Sequence, residues 1–186
     1  MAEEIFNPND YKWLMDYKGT YNQYEDIPKG WREAFGEMLI KDIDEVVKRD
    51  NVEIGGDYGL RVMEIKEKWG ELRMYFYGST DEIERIVTNY SMLSRNICIG
   101  CGKPDVPWTT GYIIPVCETC FKKWGRGNYQ KAIAKQGSYM MPDTYVTRRT
   151  NKDGTKETIH DVSDLTKKIR ARWETRKERM DGCNQT

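Results

Sequence analysis

Four of the five cysteines fall into two closely spaced pairs, and their spacing is the strongest chemical signal in the chain. Cys98 and Cys101 form the first C-x-x-C pair, and Cys117 and Cys120 form the second. Two residues between thiolates allow one tight turn to direct both sulfurs at the same ion, and the loop between the pairs returns the second pair to complete a tetrahedron. This pattern predicts one structural Zn²⁺ held by four sulfurs. Four protein ligands leave no position for an activated water, so the predicted ion supports folding and not catalysis.

The paired cysteines also leave alternatives open. Two disulfides are disfavoured in a reducing interior, and a redox C-x-x-C motif would not need a matched second pair. Two zinc-binding arrangements also compete, a treble clef in which the second pair begins a helix and a ribbon of two knuckles. The helix-like residues 121–124 favour the treble clef, with residues 112–116 expected to form a strand before it.

No catalytic set of side chains accompanies the cysteines. The single histidine, His160, is expected on the surface of a hairpin, and Cys183 is expected to be a free thiol near the chain end. Asp42, Asp44 and Glu45 are expected to form the solvated face of a helix and not a second metal site. Phosphate-binding glycine loops and the G-x-S-x-G motif are missing from the sequence. We therefore predict that the protein is not an enzyme.

The charge is unevenly divided along the 186 residues. The 30 basic and 30 acidic side chains cancel overall. Residues 1–97 contain 13 basic and 20 acidic side chains, whereas residues 98–186 contain 17 and 10. This division excludes a uniformly basic nucleic-acid binder and a uniformly acidic DNA mimic, and it suggests that the two halves face different partner surfaces. No apolar run approaches the roughly 20 residues needed to cross a bilayer, so no membrane contact is expected.

Hydrophobic periodicity predicts the elements that must position the cysteines. A short helix is expected over residues 9–17, an amphipathic helix over 31–49, a hairpin over 59–77 with its turn at Gly70, and a helix capped by Ser79. On the first hairpin strand, Arg61, Met63 and Ile65 are expected to share one face. A second hairpin with an Asp153–Gly154 turn and a final helix from Ser163 to about residue 181 complete the chain. These elements predict an α+β fold.

The last helix is rich in basic residues, and aromatic residues lie before and within it. Phosphate contact would be one use for this surface, a protein partner would be another, and a solvated helix is the alternative to both. The cations of the helix are Lys167, Lys168, Arg170, Arg172, Arg176, Lys177 and Arg179. The aromatic residues expected at the surface are Tyr112, Trp124, Tyr129, Tyr139, Tyr145 and Trp173.

The hairpin and the first cysteine pair resemble a group of small proteins encoded by bacteriophages and prophages. The similar stretches are VMEIKEKWGELRMYFYG, SRNICIGCGKP and GYIIPVCETC, and the likeness runs from about Gly30 to Cys120. The shared pattern is a K-E-K-[FW]-G-x-L-R-[FM]-Y hairpin, a helix and a C-x-x-C-G-x-P zinc pair. Some proteins that look like this are anti-CRISPR inhibitors of Cas9-type nucleases. The resemblance implies a phage setting, the cytoplasm of an infected bacterium and a host nuclease as partner.

These expectations combine into one hypothesis of domains and function. An acidic α+β domain (1–97) is followed by a zinc module (98–136) and a basic hairpin-plus-helix tail (137–186). The protein is expected to inhibit a Cas9-type nuclease by direct binding that blocks DNA loading or a domain movement. The alternative is a zinc-dependent nucleic-acid-binding or regulatory module that uses the basic tail. Candidate partner-binding residues are Trp124, Tyr145, Lys167, Lys168, Arg170, Arg172 and Trp173.

Overall fold

A computed structural model describes residues 5–16, 18–133, 140–148 and 157–183. Within these residues the fold is α+β, as predicted, with helices packed around two separate two-stranded antiparallel hairpins. No helix in this described part of the chain has both the length and the apolar character to cross a membrane. The division into three domains stays a prediction.

The N-terminal segment is not the helix that residues 9–17 predict. It forms two 3₁₀ turns, Pro8–Asp10 and Lys12–Leu14, separated by the extended backbone of Tyr11. Asn7 caps the first turn with its side chain, and this local bond favours a short turn over a continuous helix. Trp13 and Leu14 of these turns are buried in the core. A third 3₁₀ turn spans Gln23–Asp26.

The first long helix, α1, occupies residues 29–49 and supplies much of the core. It comprises an α-helical turn at Lys29–Trp31, a π-helical stretch at Arg32–Gly36 and a regular α-helix at Glu37–Arg49. The helix begins two residues before the predicted start, directly after Pro28. Its core face buries Trp31, Ala34, Phe35, Leu39, Ile40, Ile43, Val46 and Val47.

The first hairpin pairs β1 (Arg61–Lys68) with β2 (Glu71–Tyr77). Its turn consists of Trp69 and Gly70, which both have positive φ, the geometry of the mirror-image turns that match strand twist. The predicted faces of β1 are wrong, because a bulge between Val62 and Glu64 shifts the alternation. Val62 and Ile65 are consequently both buried, whereas Met63 is exposed.

The second long helix, α2 (Asp81–Ser94), covers the inner face of this hairpin. Its N-cap is Thr80 and not Ser79, since the Thr80 hydroxyl accepts the backbone N–H of Ile83. The inward face contains Ile83, Ile86, Val87, Tyr90 and Leu93, all of them buried.

The C-terminal elements pack onto the same core. β3 (Thr144–Arg148) pairs with β4 (Glu157–Asp161), and the final helix, α5, spans Ser163–Cys183. The helix continues through Asp181 and Gly182, where we expected it to end. The predicted turn at 153–154 lies outside the described residues. Met141, Tyr145, Val162 and Ile169 belong to the main buried cluster, so the tail contributes to the core.

Candidate metal centre

The first cysteine pair lies in a tight turn directly after α2. The Cys98 N–H donates to the Lys103 carbonyl, and the Gly102 N–H donates to the Cys98 carbonyl, each at 2.8 Å. Gly102 has a φ of +78°, a conformation that a side chain would disfavour. These bonds hold Cys98 and Cys101 on one turn with both sulfurs facing the second pair.

The second cysteine pair begins a helix, as predicted. Cys117 is the N-cap of α3 (Glu118–Lys123), and its sulfur accepts the backbone N–H of Cys120 at 3.4 Å. The Cys117 N–H in turn donates to the Cys98 sulfur at 3.3 Å. Helix N-terminal N–H groups stabilise negative charge, so this position favours thiolate over thiol.

The loop before the second pair is not the strand predicted for residues 112–116. Only the isolated bridge between Trp108 and Pro115 forms there. Pro115 has no N–H to donate, and the Ile114 N–H donates instead to the Thr109 hydroxyl at 3.1 Å. The loop still returns the chain to the first pair, because the Ile99 N–H donates to the Pro115 carbonyl at 2.9 Å.

The four sulfurs are close enough together to share one ion. All lie within 4.8 Å of one another, and the Cys101 and Cys117 sulfurs are 3.7 Å apart. A tetrahedron with metal–sulfur bonds of about 2.3 Å has edges of about 3.8 Å, which agrees with that pair. A disulfide requires about 2.05 Å between sulfurs, and these four cysteines are free.

Ionisation of one thiol in this group opposes ionisation of the next. Hydrogen bonds with Cys117 and Cys98 raise the pKa of the Cys101 thiol, and burial raises the pKa of Cys120. The pKa of Cys117 is lowered, chiefly by its hydrogen bond with Cys101. A divalent cation would replace the retained protons and stabilise all four thiolates, so metal binding should release protons.

A small second hydrophobic cluster surrounds the cysteines. Phe121 packs edge-to-face on Tyr129 of α4 (Tyr129–Ala132), with ring centroids 5.5 Å apart. The Tyr129 hydroxyl donates to the Val116 carbonyl at 3.0 Å. Tyr129 is therefore buried, contrary to the expectation of an exposed ring. A Cβ on Gly100 would lie 2.8 Å from the Trp124 ring and 3.0 Å from the Cys120 sulfur, so any larger residue there would have to displace the Trp124 ring or the sulfur.

The main core holds the first cysteine turn through backbone contacts. The Gly30 N–H donates to the Ile99 carbonyl at 2.9 Å, and the Trp31 indole N–H donates to the Ile97 carbonyl at 2.8 Å. A Cβ on Gly30 would meet the Cys98 carbonyl oxygen at 2.2 Å. The start of α1 and the cysteine turn therefore touch without intervening side chains.

Three arginines of α5 form ion pairs with other parts of the fold, which makes them less available for the predicted phosphate contacts. Arg170 forms two 3.1 Å hydrogen bonds with the Asp105 carboxylate. Arg172 donates to the Glu37 carboxylate at 3.0 Å, and Arg176 pairs with Glu33.

Lys167 and Lys168 are the candidate cations of α5 that lie at the surface. Lys167 is 3.3 Å from Asp164 within the same helix. Lys168 lines a cleft of about 430 Å³ between α1, α2 and the start of α5. The other charged residues of this cleft are Asp42, Glu45, Arg49, Glu82, Arg85, Asp161 and Asp164.

The candidate aromatic residues differ in their exposure. Tyr112 and Trp124 are exposed, at 66% and 40%, and Trp173 is half-buried. Tyr145 is only 8% exposed, so the prediction of a surface ring is wrong there. Its hydroxyl donates to Asn89 at 2.7 Å, because β3 lies against α2. Tyr139 lies outside the described residues.

His160 stacks flat on the Tyr145 ring, with centroids 4.5 Å apart and planes within 2°. Burial lowers the pKa of His160, and the positive charge of Arg85 lowers it further. Asp42, which we expected on a solvated face, accepts the Tyr90 hydroxyl at 2.6 Å. Both side chains therefore take part in packing that their sequence neighbourhoods do not reveal.

Three exposed rings on the first hairpin were missing from the predicted surface set. Trp69, Tyr75 and Tyr77 are 67%, 45% and 37% exposed. The signal for the two tyrosines was present, since strand alternation placed them opposite the inward side chains of β2. Trp69 had no such signal, because its exposure depends on the turn geometry.

Comparison with known proteins does not extend the site description. No protein family, curated protein or solved structure matches this chain. The likeness to phage-encoded proteins therefore rests on the hairpin and cysteine motifs alone.

Proposed function

We propose that Cys98, Cys101, Cys117 and Cys120 bind one Zn²⁺ in a treble-clef arrangement. The observation that supports zinc is the set of four free cysteine sulfurs within 4.8 Å of one another, because soft thiolates in this number are typical of structural zinc. A helix that begins at Cys117 supports the treble clef over the ribbon. A bound ion would cross-link the first cysteine turn to the start of α3 and would have no open coordination position for a substrate.

We further propose that the protein is a non-enzymatic inhibitor, encoded by a phage or mobile element, that binds a Cas9-type host nuclease in the bacterial cytoplasm. The hairpin and cysteine motifs that resemble phage-encoded proteins support this proposal, and a closed four-sulfur site would stabilise a binding scaffold without supplying chemistry. The internal pairing of Arg170, Arg172 and Arg176 supports a protein partner over DNA bound along α5.

The proposed contact uses charge to speed encounter and exposed rings to hold the complex. DNA channels of nucleases are basic, so the acidic N-terminal half would be attracted to them. Glu45 is an exposed acid on α1 that illustrates this surface. Because Tyr145 is buried, Trp124 and Trp173 are the remaining candidates for aromatic anchors in the predicted partner-binding set.

A cleavage titration with purified Cas9-type nucleases tests this function. One chain should inactivate about one nuclease, and longer preincubation should add nothing once binding has reached equilibrium. Inactivation of many nuclease molecules per chain would reveal a missed active site, and full cleavage at every inhibitor concentration would reject the proposal.

A matched pair of charge reversals tests the role of the acidic half. Glu45→Lys changes an exposed acid on α1, and Glu178→Lys makes the same change on an exposed acid of α5. We expect Glu45→Lys to slow association more than Glu178→Lys, with a difference that shrinks at high salt. Equal association rates would remove electrostatic steering by the acidic half.

A further inference from the structure

The first hairpin has an outward face that the core does not use. Val62, Ile65, Leu72 and Met74 fill its inner side and are buried. Tyr75 and Tyr77 alternate with these residues on β2 and remain exposed. Because the two tyrosines are two residues apart, they lie about 7 Å apart along the strand on the same face.

Trp69 adds a third exposed ring at the tip of the same hairpin, in an unusual backbone conformation. Its φ is +59°, which is rare for a large side chain, and its ring is 67% exposed. Asparagine followed by glycine is the preferred pair for such a turn, and here tryptophan precedes Gly70. The position therefore retains an exposed aromatic ring at a cost in backbone energy, which points to a function for the ring.

The charge on this face is opposite to that of the N-terminal half. It combines four cations with two acids, whereas residues 1–97 as a whole are acidic. The Arg61 guanidinium lies 4.2 Å from the Tyr77 ring centroid, and the Lys66 amine lies 5.5 Å from that of Tyr75. The charged residues are Arg61, Lys66, Lys68 and Arg73, with Glu64 and Glu71 as the two acids.

We propose that the hairpin platform, defined as Trp69, Tyr75 and Tyr77 with these four cations, binds single-stranded nucleic acid. Exposed rings offer stacking surfaces to unpaired bases, and adjacent cations contact the phosphates. Lys66 pairs with Glu64 and Arg73 with Glu71, but the platform still has two more cations than acids. On the described surface of α5, the exposed cations Lys167, Lys168 and Lys177 are matched in number by the exposed acids Asp164, Glu174 and Glu178, so α5 fits this ligand less well. This activity is independent of nuclease inhibition.

Fluorescence anisotropy with labelled 12-nucleotide dT and rU strands tests the platform. The full-length protein should bind both strands at 50 mM salt and bind much more weakly at 200 mM. Tyr75→Thr and Tyr77→Thr should each weaken binding on the order of tenfold, while threonine keeps a strong preference for strands. The matched control is Tyr58→Thr, since Tyr58 is more exposed than either ring and lies before the hairpin.

Trp69→Asn separates binding from folding. Asparagine suits the left-handed turn position, so the variant should melt at the same temperature as the parent or higher while it binds the strands about tenfold more weakly. Lys66→Gln with Arg73→Gln should reduce the slope of log affinity against log salt, and Lys167→Gln with Lys168→Gln should leave it unchanged.

Several results would overturn the platform. One is the absence of strand binding at 50 mM salt, and another is equal affinity for a 12-base-pair duplex, in which base faces are not available for stacking. A third is unchanged strand binding by the Tyr75, Tyr77 and Trp69 variants. Loss of nuclease inhibition in these variants without strand binding by the parent would assign the face to a protein partner instead.

Discussion

Replacement of Ser94 by alanine should destabilise the fold, because it removes the hydroxyl that accepts a backbone N–H on the unpaired edge of β2. The Ser94 hydroxyl accepts the backbone N–H of Leu72 at 2.9 Å and donates to the Ser91 carbonyl at 2.6 Å. Ser94 and Leu72 are fully buried, so water cannot replace the lost partner. On the same edge of β2, the Leu72 carbonyl accepts the Ser91 hydroxyl at 2.6 Å.

The expected cost follows from the buried N–H that the variant leaves without a partner. An unsatisfied buried donor costs about 1–3 kcal/mol, and the better helix propensity of alanine returns at most about 0.5 kcal/mol. The net loss in the free energy of unfolding of Ser94→Ala should therefore be about 0.5–3 kcal/mol. For a chain of this length this corresponds to a fall of about 1–12 °C in Tm.

Urea denaturation of the metal-loaded protein followed by circular dichroism measures this loss. Thr88→Ala is the matched control in the same helix, because the Thr88 hydroxyl donates to the exposed Glu84 carbonyl and leaves no buried group behind. The control should change stability by less than about 0.5 kcal/mol. If Ser94→Ala is as stable as the parent protein, the hydrogen bond from the Leu72 N–H to the Ser94 hydroxyl does not contribute to stability as we expect.

Two further predictions concern the cysteines and the histidine. Cys101→Ser should lose the metal and unfold the cysteine module, whereas Cys183→Ser should retain the metal and the folded module, as measured by elemental analysis and NMR. Full metal content in Cys101→Ser would contradict the four-sulfur site. His160 is the only histidine, so its NMR titration is unambiguous, and its pKa should lie below the ordinary value of about 6.5 in the folded protein and return to it in urea. Because the folded-state pKa of His160 is lowered, the contribution of neutral His160 to the free energy of unfolding is complete above the ordinary pKa and is lost as pH falls through the folded pKa. Arg85→Gln should raise the folded pKa, and a folded pKa at or above 6.5 would refute the predicted lowering.

The sequence predicted the features that depend on local patterns. Helical periodicity located α1 and α2, and the Gly70 signal located the hairpin turn. The cysteine spacing predicted one cluster of four sulfurs, which the geometry of the site confirms. Each of these features is determined by residues that are near one another in the chain or by a ligand pattern of fixed spacing.

Other features depend on distant contacts and were not predictable in the same way. The bulge that turns Met63 outward follows from the packing of Val62 and Ile65 on the core, which alternation alone does not contain. Tyr145 is buried because β3 lies against α2, and its partner Asn89 is 56 residues away in the chain.

The arginines of α5 illustrate the same limit for charged residues. Arg170 pairs with Asp105 across 65 residues, so its internal role is invisible in the composition of its own helix. The exposure of Trp69 similarly follows from the left-handed turn and not from its sequence neighbours.

X-ray absorption spectroscopy at the zinc edge tests the proposed metal centre most directly. The protein is purified under reducing conditions without chelators, and its metal content is measured on the same sample. We expect one zinc per chain with four sulfur neighbours at about 2.3 Å. A sample without metal, or a spectrum that requires nitrogen or oxygen among the four nearest atoms, would contradict the assignment of Cys98, Cys101, Cys117 and Cys120 as its ligands.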